Sequence, residues 1–146
     1  MTEGPNCRSL PVSRWGEPSA FTKAVFFGSP KVRFGSRVFV NAQCFFDTSA
    51  PISIGDDVHL APRVQLFTST HAIGPSGRRA GPVEVLPVTI GAGSWVGAGA
   101  MILPGVTVAP GCIIASGAVV NKSTEPDGIY AGVPARRISD VEQGMS

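Results

Sequence analysis

The sequence predicts an all-β fold, a parallel β-helix in which short strands and corners wind into a solenoid. An aliphatic residue returns every six positions between residues 88 and 124. These residues are Ile90, Val96, Ile102, Val108, Ile114 and Val120. A small or medium-sized residue stands four positions after each of them. A period of six fits neither the 3.6-residue repeat of an α-helix nor the simple alternation of a strand, and it is typical of solenoids.

The same six-residue frame continues upstream, with a slip of two residues near Ala50 and Pro51. The large apolar positions there are Phe34, Val40, Phe46, Ile54, Leu60 and Leu66. A large residue fills the middle of a narrow interior, and a small one fits where the chain turns. Gly, Ala, Asn or Asp follows the large residue in ten of the twelve repeats. We attribute this to crowding at the bends and to a tolerance of positive φ.

Three repeats per triangular coil give about four coils over residues 32–125. Residues 1–31 contain no six-residue frame and are expected to form an irregular segment that caps the first coil. Residues 71–87, rich in Gly and Pro, are expected to leave the stack as a protruding loop. Residues 126–146 are expected to end the solenoid, because Pro126 and Gly128 stop the last coil.

Composition narrows the possible partners and compartment. The chain has 146 residues, a formal net charge of +2 and no basic run, so nucleic acid is not an expected partner. We find no window of about 18 apolar residues and no charged-then-apolar leader, so we expect a cytoplasmic protein that does not enter a membrane. Cys44 and Cys112 occupy small core positions and are expected to pack there as free thiols, as in a reducing compartment.

Four strings resemble the hexapeptide-repeat acyltransferases, in particular the maltose, galactoside and nodulation O-acetyltransferases. They are TSTHAIGP, PVTIGAGSWVGAGAMILPGVTV, ASGAVVNK and YAGVPARRI. The resemblance covers about residues 38–139. It implies a left-handed coil, which general chirality rules alone would not favour. It also implies a homotrimer with active sites between protomers, in which an acetyl group passes from acetyl-CoA to a hydroxyl or amine.

His71 is the candidate general base, because a neutral imidazole can take the proton of a hydroxyl that attacks a thioester. Its position also corresponds to the catalytic base of the family. Glu84 is matched, with a one-residue gap, to a family glutamate that would orient the imidazole. The resemblance implies that Asn41 contacts the acceptor, whereas the repeat frame gives it a corner role. The acidic acceptor residue of the sugar branches corresponds to Ser49, with Asp47 close by, so both are further acceptor candidates.

Coenzyme A requires a long apolar slot, hydrogen-bond partners for its amides and positive charge for its phosphates. The resemblance places this slot along the coils after the loop. The candidate CoA-binding residues are Trp95, Ala98, Ser116, Gly117, Asn121, Lys122 and Arg136. Backbone groups of Ala98, Ser116 and Gly117 would line the slot. Lys122 and Arg136 would meet the phosphate or adenine end, and the tryptophan would serve either trimer packing or a wall of the slot.

The resemblance, together with the chemistry of His71, implies an acetyl-CoA-dependent O-acetyltransferase that acts on a small hydroxylated acceptor. A non-catalytic scaffold or trimerisation module is the alternative, but it needs neither His71 nor cations at Lys122 and Arg136. A γ-type carbonic anhydrase binds zinc through three histidines, and this chain has only His59 and His71, so no metal site is expected. The sequence does not distinguish a sugar from an antibiotic, a nucleotide sugar or another metabolite as the acceptor.

Overall fold

The computed structural model of the protein describes residues 20–21, 24–28 and 32–142. These residues form 18 short β-strands and no α-helix, so none of them belongs to a helix with the length and hydrophobicity that crossing a membrane requires. In chain order the strands are β1 (Ala20–Phe21), β2 (Val25–Phe27), β3 (Val32–Phe34), β4 (Phe39–Val40), β5 (Phe45–Asp47), β6 (Ile52–Ile54), β7 (His59–Leu60), β8 (Gln65–Leu66), β9 (Ser69–Ile73), β10 (Ala80–Val85), β11 (Val88–Ile90), β12 (Trp95–Val96), β13 (Met101–Ile102), β14 (Thr107–Val108), β15 (Ile113–Ile114), β16 (Val119–Val120), β17 (Gly128–Ala131) and β18 (Arg136–Asp140).

The strands stack into three parallel sheets, which are the faces of a left-handed parallel β-helix, as the resemblance predicts. Face I contains β3, β6, β11 and β14; face II contains β1, β4, β7, β12, β15 and β17; face III contains β2, β5, β8, β13 and β16. The chain visits the faces in this order in every coil. Coils 1 to 4 comprise residues 32–51, 52–68, 88–105 and 106–124. Equivalent residues of neighbouring coils pair in register, as Leu60 does with Val40 and Val96.

The core follows the six-residue frame. Every large apolar residue of the twelve repeats is buried, and so are eleven of the twelve small residues four positions later. The exception is Thr70, which is exposed because it lies outside the stack. Cys44 and Cys112 are buried free cysteines, as expected from their core positions. The repeat therefore predicts correctly which side chains fill the interior.

We expected two causes for the small residue that follows each large one, and the structure supports only crowding. Positive φ values occur three positions after the large residue, as at Gly99 and Gly117, and not directly after it. The glycines directly after it are required by the next coil. A Cβ at Gly97 would lie 2.6 Å from the amide nitrogen of Ser116, a distance that real Cβ atoms essentially never show. The crowding prediction is confirmed, and the assignment of positive φ to this position is wrong.

The solenoid has about five turns, one more than the four predicted. Strands β1 and β2 pair in parallel with β4 and β5, and thereby extend the stack below coil 1. The remainder of the expected cap at residues 1–31 lies outside the described residues. At the other end Gly128 begins β17, which continues face II instead of ending it, and β18 then returns antiparallel. Both additions lack the six-residue spacing, so the repeat did not reveal them.

Candidate active site

The interruption after coil 2 is a β-hairpin. Strand β9 leaves the edge between faces III and I, which we call the hairpin edge, and pairs antiparallel with β10. The tip is closed by a hydrogen bond from the amide of Gly74 to the carbonyl of Arg79 at 2.8 Å. The pairing register shifts between Ala80 and Val83. The segment predicted as a protruding loop is therefore an ordered two-stranded arm, and His71 lies on its first strand.

A backbone carbonyl orients the imidazole of His71. Nδ1 of His71 lies 2.8 Å from the carbonyl oxygen of Gly81 on the neighbouring strand, and the side chain is exposed. Because a carbonyl oxygen only accepts hydrogen bonds, Nδ1 must carry the proton. In the neutral ring Nε2 then keeps its lone pair. This is the tautomer that a general base needs, with the basic nitrogen left outside the bond that fixes the ring.

Asp47 anchors the base of the hairpin from the corner of coil 1. Its side chain is 3% exposed and accepts five hydrogen bonds. One carboxylate oxygen accepts from the amide and hydroxyl of Ser49, at 3.1 and 2.6 Å. The other accepts from the amide of Thr68 at 3.1 Å and from the amide and hydroxyl of Ser69 at 2.8 and 2.5 Å. Burial raises the pKa of Asp47, but these hydrogen bonds outweigh it and lower the pKa to about 2.

These bonds change the interpretation of two candidate residues. The sequence assigns Asp47 and Ser49 to acceptor binding, whereas in the structure Asp47 holds the first residues of the hairpin and Ser49 donates to Asp47. Ser69 precedes His71 by two positions, so the carboxylate fixes the strand close to the imidazole. Asp47 therefore acts on the site by positioning the strand that carries His71.

The structure does not bring Glu84 to the imidazole. Val83 is the cross-strand partner of His71, and Glu84 is the partner of Thr70. Neighbouring side chains on a strand point to opposite sides, so Glu84 and His71 lie on opposite sides of the hairpin. Within residues 32–142 no ion pair joins them. The orienting contact predicted for Glu84 is made instead by the Gly81 carbonyl, a backbone group that residue types do not reveal.

Five other candidate residues lie along the edge between faces II and III, which we call edge II–III. Along this edge Asn41 lies in coil 1, Ala98 in coil 3, Ser116 and Gly117 in coil 4, and Arg136 beside β17. Arg136 belongs to this edge because it pairs with Ala131 at the end of face II. With about 4.8 Å between coils, the four steps from Asn41 to Arg136 span roughly 19 Å. The Asn41 side chain accepts a hydrogen bond from the Ala42 amide at 2.7 Å, which gives it the expected corner role.

Two backbone amides on edge II–III are available to a ligand. In the part of the chain that the structure describes, the amides of Ala98 and Ser116 have no hydrogen-bond partner. The amide of Gly117 donates to the Ala98 carbonyl at 2.9 Å, so it serves the stack. Arg136 is exposed at the end of the edge. The edge thus offers donors beside its middle and a cation at its end, as the amides and phosphates of coenzyme A require.

The remaining candidates lie elsewhere. Asn121 and Lys122 are exposed on the hairpin edge at the level of coil 4. Trp95 is 53% exposed on the outer side of face II. Face III separates the two edges, and its six-residue repeat spans roughly 20 Å at about 3.3 Å per residue. Within one chain His71 therefore does not meet the residues of edge II–III.

No three His, Cys, Asp or Glu side chains form a cluster that could hold a metal ion among residues 20–21, 24–28 and 32–142.

Residues 87–122 match the family model described as bacterial transferase hexapeptide (six repeats). The chain is similar to the crystal structure of a maltose O-acetyltransferase from Clostridium difficile 630, with a TM-score of 0.79 and 32% identity, over 90% of this chain and 72% of that one. This chain belongs to the hexapeptide-repeat acyltransferase family. The family predicted from the four sequence strings is thus confirmed.

Two further proteins extend the comparison. An acetyltransferase from Vibrio cholerae O1 biovar eltor, in a complex with acetyl-CoA, has a TM-score of 0.76 and 27% identity, over 86% of this chain and 72% of that one. The sophorolipid acetyltransferase of Starmerella bombicola is 45% identical over 112 residues, which are 77% of this chain and 43% of that protein. The chain spans about half the length of the curated relatives it matches.

Proposed function

We propose that this protein transfers an acetyl group from acetyl-CoA to a hydroxyl of a small, sugar-like acceptor, with His71 as the general base. The observation that carries the proposal is the bond between Nδ1 of His71 and the Gly81 carbonyl, which reserves Nε2 for proton transfer. The relatives support the donor and the acceptor class. One is complexed with acetyl-CoA, and two are named for maltose and for sophorolipid.

In the proposed reaction Nε2 of His71 takes the proton from the acceptor hydroxyl. The hydroxyl oxygen then forms a bond with the carbonyl carbon of the thioester, and the carbon–sulfur bond breaks. His71 returns the proton to the departing thiolate, so the products are an acetyl ester and the free thiol of coenzyme A. The unpartnered amide of Ala98, in coil 3, would stabilise the negative charge that develops on the carbonyl oxygen.

The two edges complete one site if two copies of the chain meet. Edge II–III and the hairpin edge flank face III, so three prisms that turn face III towards a shared threefold axis bring the two kinds of edge together. Because this axis is parallel to the axis of the solenoid, each coil faces the equivalent coil of the neighbouring copies. The outer side of face III suits such an interface, since the partly buried Phe45, Met101 and Val119 project from it. We therefore propose a homotrimer with three sites between protomers.

In this arrangement the walls of each cleft have different tasks. The hairpin edge brings His71 at the level between coils 2 and 3, and Lys122 at coil 4. Edge II–III of the neighbouring copy brings Asn41 beside the acceptor, the free amide of Ala98 beside the thioester carbonyl, the free amide of Ser116 beside pantetheine, and Arg136 beside the phosphates. The free cysteines are consistent with a cytoplasmic location, which we include in the proposal.

Thiol release tests this function directly. The purified protein is mixed with acetyl-CoA and a panel of sugars, aminoglycosides and simple alcohols, and the free thiol is followed with time. We expect acceptor-dependent release that falls by about 10²- to 10⁴-fold in His71→Ala. His59→Ala is the matched control, because His59 lies on the outer side of face II against Phe39 and should leave the rate unchanged. If no acceptor produces thiol and coenzyme A does not bind, the chain is a scaffold instead.

A further inference from the structure

The side of the hairpin that carries His71 is apolar and exposed. Ile73 follows His71 by two positions and therefore lies on the same side of the hairpin. Val83 is the direct cross-strand partner of His71. Val85 pairs with Ser69 on the same side. The exposed fractions are 90% for Ile73, 63% for Val83 and 48% for Val85. We call Ile73, Val83 and Val85 the apolar strip.

The opposite side of the same hairpin has a different character. Thr70 and Glu84 pair there, and both are exposed. A hairpin with no binding role would keep its large aliphatic residues covered and place polar residues outside. Here the aliphatic residues are concentrated around the imidazole, so the strip belongs to the cleft in which His71 acts.

The geometry of the strands determines which residues a bound alcohol contacts. Directly opposed residues of an antiparallel pair have their Cβ atoms about 5 Å apart, and residues two apart on a strand about 7 Å. A hydroxyl within hydrogen-bond distance of Nε2 therefore places the adjoining atoms of its molecule against Val83 and Ile73. Nε2 must stay open to the acceptor, so the strip beside it must be open too.

We propose that the acceptor is amphiphilic, an alcohol whose polar part presents the hydroxyl to His71 and whose apolar substituent lies along Ile73 and Val83. This proposal rests on the proposed function and names the class of its acceptor. A free sugar would leave the strip in water, whereas an alkyl or acyl substituent would cover it. The strip therefore selects for glycosides or esters with an apolar tail over the unsubstituted sugar.

A series of methyl, butyl and hexyl glucosides tests the proposal. Each glucoside is used below the concentration at which it forms micelles. kcat/KM is measured by thiol release. Half-burial of each added methylene gives about a twofold gain, so hexyl glucoside should exceed methyl glucoside by about 30-fold. We expect this ratio to fall severalfold in Ile73→Ser and in Val83→Ser. Val133→Ser is the matched control, because Val133 is 73% exposed in the turn between β17 and β18, and it should keep the full ratio.

Each other outcome decides the question. Equal kcat/KM for all three glucosides overturns this inference and leaves the acetyltransferase proposal standing. Thiol release from no member of either panel overturns the proposed function itself. A chain-length effect that both strip variants retain also overturns the inference. One more result overturns the inference: Ile73→Ser lowers kcat/KM equally for all three glucosides, and the variant has a smaller molar mass in solution than the wild type. The strip would then be an interface between copies of the chain.

Discussion

Replacing Asp47 by Asn tests whether one buried carboxylate holds the hairpin that carries His71. All five groups around the carboxylate are donors, in Ser49, Thr68 and Ser69. The side-chain amide of Asn has one acceptor oxygen and one NH2 group. The NH2 group would therefore face either the donors of Ser49 or those of Thr68 and Ser69. The serine hydroxyls can rotate, but the backbone amides cannot. Asp47→Asn thus leaves at least one buried N–H without an acceptor.

Two estimates give the size of this effect. A buried donor without a partner costs about 1–3 kcal/mol. The pKa of Asp47 is lowered from 3.8 to about 2, and a shift of this size corresponds to about 2.5 kcal/mol of stability at neutral pH. We therefore expect Asp47→Asn to lose about 2–3 kcal/mol, which lowers Tm by about 5–10 °C for a domain of this length.

The pH dependence gives a second measurement of the same group. Because the pKa of Asp47 is lower in the folded state, the ionised carboxylate stabilises the protein fully above about pH 4. This contribution is lost as the pH falls from about 4 towards 2. Asp47→Asn has no such proton to bind, so its disadvantage relative to the wild type should shrink over this range.

Urea unfolding at pH 7 and pH 3 measures both effects. Glu84→Gln is the matched control, since Glu84 is an exposed carboxylate of the same hairpin. It should change the free energy of unfolding far less than Asp47→Asn does. If Asp47→Asn lies within about 0.5 kcal/mol of the wild type at pH 7, or if its deficit does not shrink on acidification, the anchoring role of Asp47 is refuted.

Two predictions concern glycines that the neighbouring backbone approaches so closely that a Cβ atom has no room. A Cβ at Gly81 would lie 2.6 Å from the Ala72 carbonyl, so Gly81→Ala should displace the carbonyl that orients the imidazole. We expect kcat to fall about tenfold with little change in the KM for acetyl-CoA, and unchanged kcat would contradict this role. Gly97→Ala should unfold more easily than Gly99→Ala in a thermal melt. A Cβ at Gly97 meets the Ser116 amide at 2.6 Å, whereas Gly99 has open space and only the strain of φ +68°. Equal melting temperatures would show that the coils can separate to admit the methyl group.

The sequence predicts the fold well because one short repeat sets the interior of every coil. A large residue such as Ile102 and a small one such as Ala100 are required by the same narrow cross-section wherever they recur. The ends are different. Strands such as β2 and β17 join the stack through backbone pairing to coils already formed, and this pairing leaves no mark in the six-residue spacing.

The candidate site is predicted in part for a similar reason. The position of His71 on an arm outside the stack follows from the interruption of the repeat. The role of Asp47 does not, because the family resemblance places it near an acceptor residue, while the fold buries it beneath Ser69. Gly81 acts through its carbonyl oxygen, a group that every residue has. Its only sequence signal is a glycine where the hairpin register shifts.

Complementation between two inactive variants tests the central claim most directly. His71→Ala removes the base from the hairpin edge, and Ala98→Trp fills the exposed edge II–III with a large side chain. Each should be inactive alone. Co-expressed in equal amounts they form mixed trimers, in which each wall of a cleft is intact with a probability of one half, so about one quarter of the wild-type activity should return. If the purified mixed trimers show no more activity than the single variants, the site does not form between copies of the chain.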